Sequence, residues 1–173
     1  MSKITIRHSE PADYKQIKTL YAEPSSYAGT LQLPHPSESL WEQRLNADDK
    51  NHFNLVALID ANDALHTNGT EVIVGQLGLS VSAHQRRKHV ADIGMAVSEH
   101  HRGKGIGSAL LQEAINLATN WLAITRIELE VYTDNEAAVA LYKKHQFEIE
   151  GTAKNHAFKD GKLVDSYYMA RLI

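Results

Sequence analysis

The stretch HHRGKGIGSALL, His100 to Leu111, decides the fold of this chain. Gly103, Gly105 and Gly107 alternate with other residues, and an apolar run follows at once. Glycine lets a backbone turn tightly and approach a partner closely, but three glycines at this spacing weaken a helix start unless such an approach is needed. Val90 to Val97, just upstream, has the composition of a strand. Downstream, Ile106, Leu110, Ala114, Leu117 and Trp121 mark one stripe of a long helix, widened by Leu111, Ile115, Ala118 and Leu122. Strand, glycine turn and helix in succession make an anion site. Main-chain N–H groups converge at the turn, the helix adds the positive end of its dipole, and Arg102 and Lys104 add charge.

Counting removes two familiar phosphate motifs. A dinucleotide fingerprint needs G-x-G-x-x-G, but the sixth position is Ser108 counted from Gly103 and Leu110 counted from Gly105. A Walker loop needs G-x-x-x-x-G-K-[ST]; Ser98 stands at its first glycine, and Gly105 follows Lys104.

Working outward, Ile4 and Ile6 sit in a short strand, and Ser9 or Glu10 with Pro11 opens a helix carrying Tyr14, Ile17, Leu20 and Tyr21. EPSSYAGTLQLPHPSES (23–39) is a loop by composition. Ser37 or Ser39 caps a second helix with Leu40, Trp41 and Leu45. Strands are expected over Phe53 to Asp60, Glu71 to Val81 and Val90 to Val97, with the connector DANDALHTNGT (60–70) between the first two. Behind the long helix come a strand, Arg126 to Val131, and a short helix opened by Thr133 and Glu136 as a capping box and ending near His145. Strands from Phe147 to Phe158 and Leu163 to Leu172 close the chain, joined by an Asp160-Gly161 hairpin turn. Strands in series followed by alternation predict an α/β fold: a seven-stranded mixed sheet flanked by about four helices.

The 173 residues suit a single domain, 1–173. A net charge of −3 offers no basic footprint for nucleic acid or a membrane surface. The absence of cysteine excludes disulfides, thiolate metal sites and a cysteine nucleophile together. MSKITIRHSEPADY is too polar for a signal peptide, and no apolar run approaches the roughly 20 residues of a membrane helix, so the expected location is the cytoplasm. The sequon Asn68-Gly69-Thr70 is discounted on the same ground. Ten histidines are present, but His100-His101 are sequence neighbours, His35, His52, His66, His84 and His156 are scattered through expected turns, and no H-E-x-x-H occurs; no metal is expected.

Arg102-Gly103-Lys104-Gly105-Ile106-Gly107 resembles the Arg/Gln-x-x-Gly-x-Gly/Ala signature of the GNAT superfamily, the acetyl-coenzyme A dependent N-acetyltransferases. Asn135 to Phe147, NEAAVALYKKHQF, resembles the second signature of that family, Asn-x-x-Ala-x-x-x-Tyr-x-x-x-Gly-Phe, with Gln146 in place of the usual glycine. That position is a helix exit, so the departure asks a glutamine to take a left-handed conformation. TLQLPHPS (30–37) with Trp41, HVAD (89–92) and the ending YYMAR (167–171) look like a bacterial subgroup that acetylates free amino acids; the phosphinothricin acetyltransferases look more distant.

The resemblance implies a reaction in which an amine attacks the thioester carbonyl of acetyl-CoA directly. The amine must lose a proton, the developing oxyanion must be held, and the departing thiolate benefits from a proton. Residues Arg102, Gly103, Lys104, Gly105, Ile106, Gly107 and Ser108 would hold the coenzyme diphosphate. Met95, Ala96 and Val97 would lie where the strand splays from its parallel neighbour to admit the pantetheine arm, with Gly94 accommodating a bulge that starts the splay and the N–H near Met95 holding the oxyanion. Asn135 would bond the coenzyme arm, and Tyr142 would contact the coenzyme and donate a proton at the sulfur. Asp92 is the base candidate, against the alternative that it pairs with Arg86, Arg87 or His89; Glu130 and His145 are weaker candidates. The family layout assigns Tyr27, Thr30, Leu31, Gln32, Tyr167 and Tyr168 to the acceptor. The expected partner is a small-molecule amine, with a homodimer open; a protein N-terminal or lysine acetyltransferase and a non-catalytic coenzyme A sensor remain as alternatives.

Overall fold

A computed structural model describes residues 3–47, 49–59 and 71–173. The connector 60–70, with His66 and the sequon at Asn68, lies outside the described residues. Strands β1 (Thr5–His8), β2 (His52–Ile59), β3 (Val72–Val81), β4 (Val90–Val97), β5 (Arg126–Tyr132), β6 (Glu148–Lys159) and β7 (Lys162–Leu172) form one sheet in the order β1-β2-β3-β4-β5-β7-β6. The β4–β5 pair is parallel and the other five pairs are antiparallel, so the sheet is mixed, as expected.

Among the described residues five α-helices accompany it: α1 (Tyr14–Ala22), α2 (Pro24–Tyr27), α3 (Glu38–Asn46), α4 (Ile106–Trp121) and α5 (Glu136–Lys144). The one beyond the expected four is α2, a single turn inside the stretch expected as loop, with Pro24 at its head. Ser37 caps α3 by accepting from the Leu40 N–H. The α5 cap is corrected from Thr133 to Asn135, whose Oδ1 accepts from the Ala138 N–H at 3.3 Å. Gln146 does turn left-handed at the exit, with φ 66°.

Both sheet faces are covered, which is why β2 reads as an apolar run rather than an alternation. Leu55, Ala57 and Ile59 pack under α4 and α5; Val56 and Leu58 pack under α1 and α3 with Ile17, Leu20, Tyr21 and Trp41. The buried residues of α4 are Ile106, Leu110, Leu111, Ala114 and Ala118. Trp121 shares their stripe by angle but is the last residue of the helix and is 76% exposed; the stripe outruns the core by a turn.

β4 and β5 pair over Val90–Asp92 and Arg126–Glu128 and then part. The expected bulge at Gly94 is absent, because the β3–β4 register runs unbroken from Gly75–Val97 to Val81–Ala91. The strands part because different partners hold their ends. Ser98 Oγ and the Glu99 N–H, just beyond β4, both donate to the carboxylate of Glu23 at 2.8 Å, whereas the end of β5 stays paired with β7 through Val131–Tyr167 and Tyr132–Ser166.

Candidate active site

The parted strand ends open into a cleft of about 1170 Å³. Its first wall is the glycine turn. Gly103 and Gly105 have φ of 73° and 85°, and Gly105 is the N-cap of α4. A Cβ at either would meet open space, so the left-handed backbone is what demands glycine there. Gly107 differs. A Cβ on it would fall 2.9 Å from Leu141 Cδ2 and 3.1 Å from Met95 Cε, the ends of two flexible side chains, so at this position the side-chain space and not a left-handed backbone bears on the choice of glycine. Left-handed turn and long helix together fit a diphosphate. Arg102, Gly103, Gly105, Ile106, Gly107 and Ser108 line the cleft; Lys104 does not, and its Nζ donates to the His100 carbonyl at 3.2 Å.

The second wall is the freed edge of β4. Met95, Ala96 and Val97 line the cleft, and beyond Asp92 the edge facing β5 has no strand partner among the described residues. Asp92 lines it too. Arg87 is taken by Glu128 at 2.6 Å, and Glu128 also accepts from Arg126 Nε at 2.6 Å, so Asp92 has no ion pair among the described residues. Burial first, then the nearby Glu128, raise the Asp92 pKa above the ordinary aspartate value; Arg87 works against them and Glu130 with them. A carboxylate shifted this way is a stronger base.

Tyr142, buried and edge-on to Phe147 at 5.8 Å, reaches the cleft from α5. Burial pushes its phenol up to about 12, so it keeps its proton at neutral pH. Asn135 lines the cleft with its Oδ1 engaged in the cap. Of the weaker base candidates, Glu130 sits 2.7 Å from His156 Nε2, and His145 Nε2 meets Ser108 Oγ at 2.9 Å. Burial, Lys144 and Arg171 lower the His145 pKa.

The third wall carries Thr30, Leu31 and Gln32. This loop is fixed to β5 by the Tyr132 hydroxyl, which donates to the Thr30 carbonyl at 3.0 Å. Three tyrosines assigned to the acceptor do not line the cleft. Tyr27 ends α2. Tyr167 packs against the core under α4 and α5, since alternation puts it on the opposite sheet face from Tyr168. Tyr168 is half exposed and meets the edge of the His156 ring at 6.2 Å. His156 itself lies in β6, not in a turn.

The sequence had not pointed to Arg44 or to a polar chain running across β2 and β3. The Tyr21 hydroxyl donates to Gln76 Oε1 at 2.6 Å, and Gln76 Nε2 donates to Asn54 Oδ1 at 2.9 Å. Asn54 Oδ1 also lies 3.2 Å from His52 Nε2, and His52 Nδ1 lies 2.6 Å from the Ser80 hydroxyl. Ser80 faces Asp92 across the strands. One signal was available: Gln76, Gly78 and Ser80 interrupt an apolar strand at every second position, as a polar stripe on one face must.

Residues 15–147 match the profile of the Acetyltransferase (GNAT) family, and the chain belongs to that family. It is an N-acetyltransferase, of a family whose acetyl donor is acetyl-CoA. Over 172 residues it is 45% identical to the L-amino acid N-acetyltransferase AaaT of Escherichia coli (strain K12), with 99% of each chain covered. Among solved structures it is similar to an acetyltransferase of the GNAT family from Streptococcus pneumoniae, at 30% identity, TM-score 0.79 and 99% of each chain. It is also similar to a GNAT superfamily phosphinothricin acetyltransferase from Sinorhizobium meliloti in complex with acetyl-CoA, at 25% identity and TM-score 0.82, covering 98% of this chain and 88% of the other. Among the described residues no helix is long and apolar enough to cross a membrane.

Proposed function

We propose that this protein acetylates the α-amine of a free L-amino acid by direct attack on acetyl-CoA, in the cytoplasm. The observation that carries this is the parting of β4 and β5 beside the left-handed glycine turn, with Asp92 and Tyr142 reaching the same cleft. Likeness to the Escherichia coli L-amino acid N-acetyltransferase supports the acceptor class.

Acetyl-CoA supplies the activated acetyl thioester. The main chain of Gly103 to Ser108, with Arg102, holds its diphosphate. The β4 edge at Met95, Ala96 and Val97 offers backbone groups to the coenzyme arm in place of a strand neighbour, and the Nδ2 of Asn135 is the donor its cap leaves over. Asp92 takes a proton from the acceptor ammonium, directly or through a water, restoring the lone pair that attacks. Tyr142 keeps its proton until the thiolate departs and then donates it at the sulfur, and the second proton that the nitrogen sheds as the amide forms restores the phenol. No covalent link to the protein is needed, which suits a chain without cysteine.

The test is release of free thiol from acetyl-CoA across L-amino acids, polyamines and peptides with free N-termini. Amino acids turning over fastest is the expected result. Turnover confined to peptides moves the acceptor class to proteins, and tight coenzyme binding with no turnover of any acceptor makes the protein a sensor.

A further inference from the structure

We propose that Arg44 binds the α-carboxylate of the acceptor and thereby selects amino acids over other amines. The proposal rests on the amino-acid acceptor above and names the group that would enforce it.

An amino acid brings an ammonium and a carboxylate one carbon apart. The ammonium has its base in Asp92. The carboxylate needs a cation on the acceptor side of the cleft. Among the described residues three lysines or arginines line the cleft: Arg44, Arg102 and Lys144. Arg102 belongs to the glycine turn. Lys144 precedes His145, which touches Ser108 of that same turn, so both lie at the diphosphate end. Arg44, on α3, is the cation left for the acceptor.

Its setting suits that task. It forms no ion pair among the described residues, and its Nη1 donates to a neutral acceptor, Gln32 Oε1, at 3.1 Å. The guanidinium lies 5.0 Å over the Trp41 ring, and Trp41 stacks on Tyr21 at 4.7 Å. Tyr21 is anchored in turn through its hydroxyl to Gln76. The Trp41 ring and the Gln32 hydrogen bond hold the guanidinium, and among the described residues its other N–H donors have no partner. A fork held this way matches a carboxylate with two parallel hydrogen bonds. Tyr21, which Trp41 joins to Arg44, lines the same cleft as Asp92 and Tyr142. The same cation repels the second ammonium of a polyamine, so it discriminates in both directions.

The experiment compares the L-amino acid that the parent protein turns over fastest with its own α-amide and its decarboxylated amine. Intrinsic reactivity differs among the three but is common to parent and variant, and it cancels in the ratio. Arg44→Gln should lower kcat/KM for the amino acid by about thirtyfold, chiefly through KM, as loss of a charge-assisted pair does. It should change the amide by less than about threefold, and Arg44→Lys should recover part of the loss. Melting temperature and acetyl-CoA affinity, measured on both variants, report folding. Equal losses for acid and amide, or no loss for either, overturn the role of Arg44 and leave the amino-acid acceptor standing. A parent protein that acetylates no amino acid overturns that acceptor class and this proposal with it.

Discussion

The two halves of the cleft are built on different plans. Most of the donor half, from Met95 to Ser108, is contiguous and offers main chain: two left-handed glycines, a helix start and a strand edge without a neighbour among the described residues, joined from α5 by Asn135 and Tyr142. The acceptor half is drawn from α1, α3, β2, β3, β4 and β6 and works through side chains, with Tyr21, Arg44, His52, Gln76, Asp92 and His156 brought together only by the order of the strands. A backbone site is local in sequence because neighbouring N–H groups must converge. A side-chain site is not, because its members need share only a sheet face.

If that division holds, changes in one half should leave the other's constants alone. The largest effect is expected for Tyr142→Phe, with kcat lowered about a hundredfold, the size of a lost general acid, and coenzyme affinity nearly intact. A collapse of affinity with turnover preserved at saturation would show Tyr142 to be a binding residue instead. Asp92→Asn should lower kcat/KM about tenfold at neutral pH and less at alkaline pH, where more of the amine is already free. An unchanged pH–rate profile would remove Asp92 as the base.

The same substitution makes an opposite prediction for stability. The folded protein raises the Asp92 pKa, so the ionised carboxylate is disfavoured relative to the unfolded chain. That penalty is absent below the ordinary aspartate value, builds between it and the raised one, and is complete above it. Asp92→Asn should therefore raise the melting temperature at pH 7, with the gain shrinking as pH falls toward 4. A gain independent of pH would show that charge is not its source.

Smaller effects separate the glycines. Gly105→Ala forces alanine into a left-handed conformation at about 1–2 kcal/mol, so Tm should fall by several degrees and the KM for acetyl-CoA rise severalfold, with the acceptor KM unmoved. Gly107→Ala should be nearly silent. The atoms it meets are the ends of Leu141 and Met95, which can yield, and the helix gains up to about 1 kcal/mol from alanine. A Gly107→Ala variant as damaged in coenzyme KM as Gly105→Ala would mean that all three glycines face the anion after all.

The sequence carried the sheet, its helices and the donor half, because HHRGKGIGSALL and NEAAVALYKKHQF are short stretches whose residues act on one another directly. It failed where partners are distant. Asp92 could not be told from an ion-paired strand carboxylate until Arg87 was found on Glu128. Thr133 lost its cap to Asn135 because two adequate caps stood two residues apart and local pattern does not rank them. Tyr167 and Tyr168 were assigned together, although neighbouring strand residues face opposite ways. Arg44 lies one helical turn from Trp41, but nothing local shows that the fold turns this pair toward a cleft shared with β3 and β4.

Glu23 ties the two sides of the cleft together mechanically. Its carboxylate joins the corner between α1 and α2 to the segment that leads from β4 into the glycine turn, across about 75 residues of chain. The latch is reversible, in a protein without cysteine to make a covalent one. A donor that stiffened the turn would stiffen with it the corner that carries the acceptor loop.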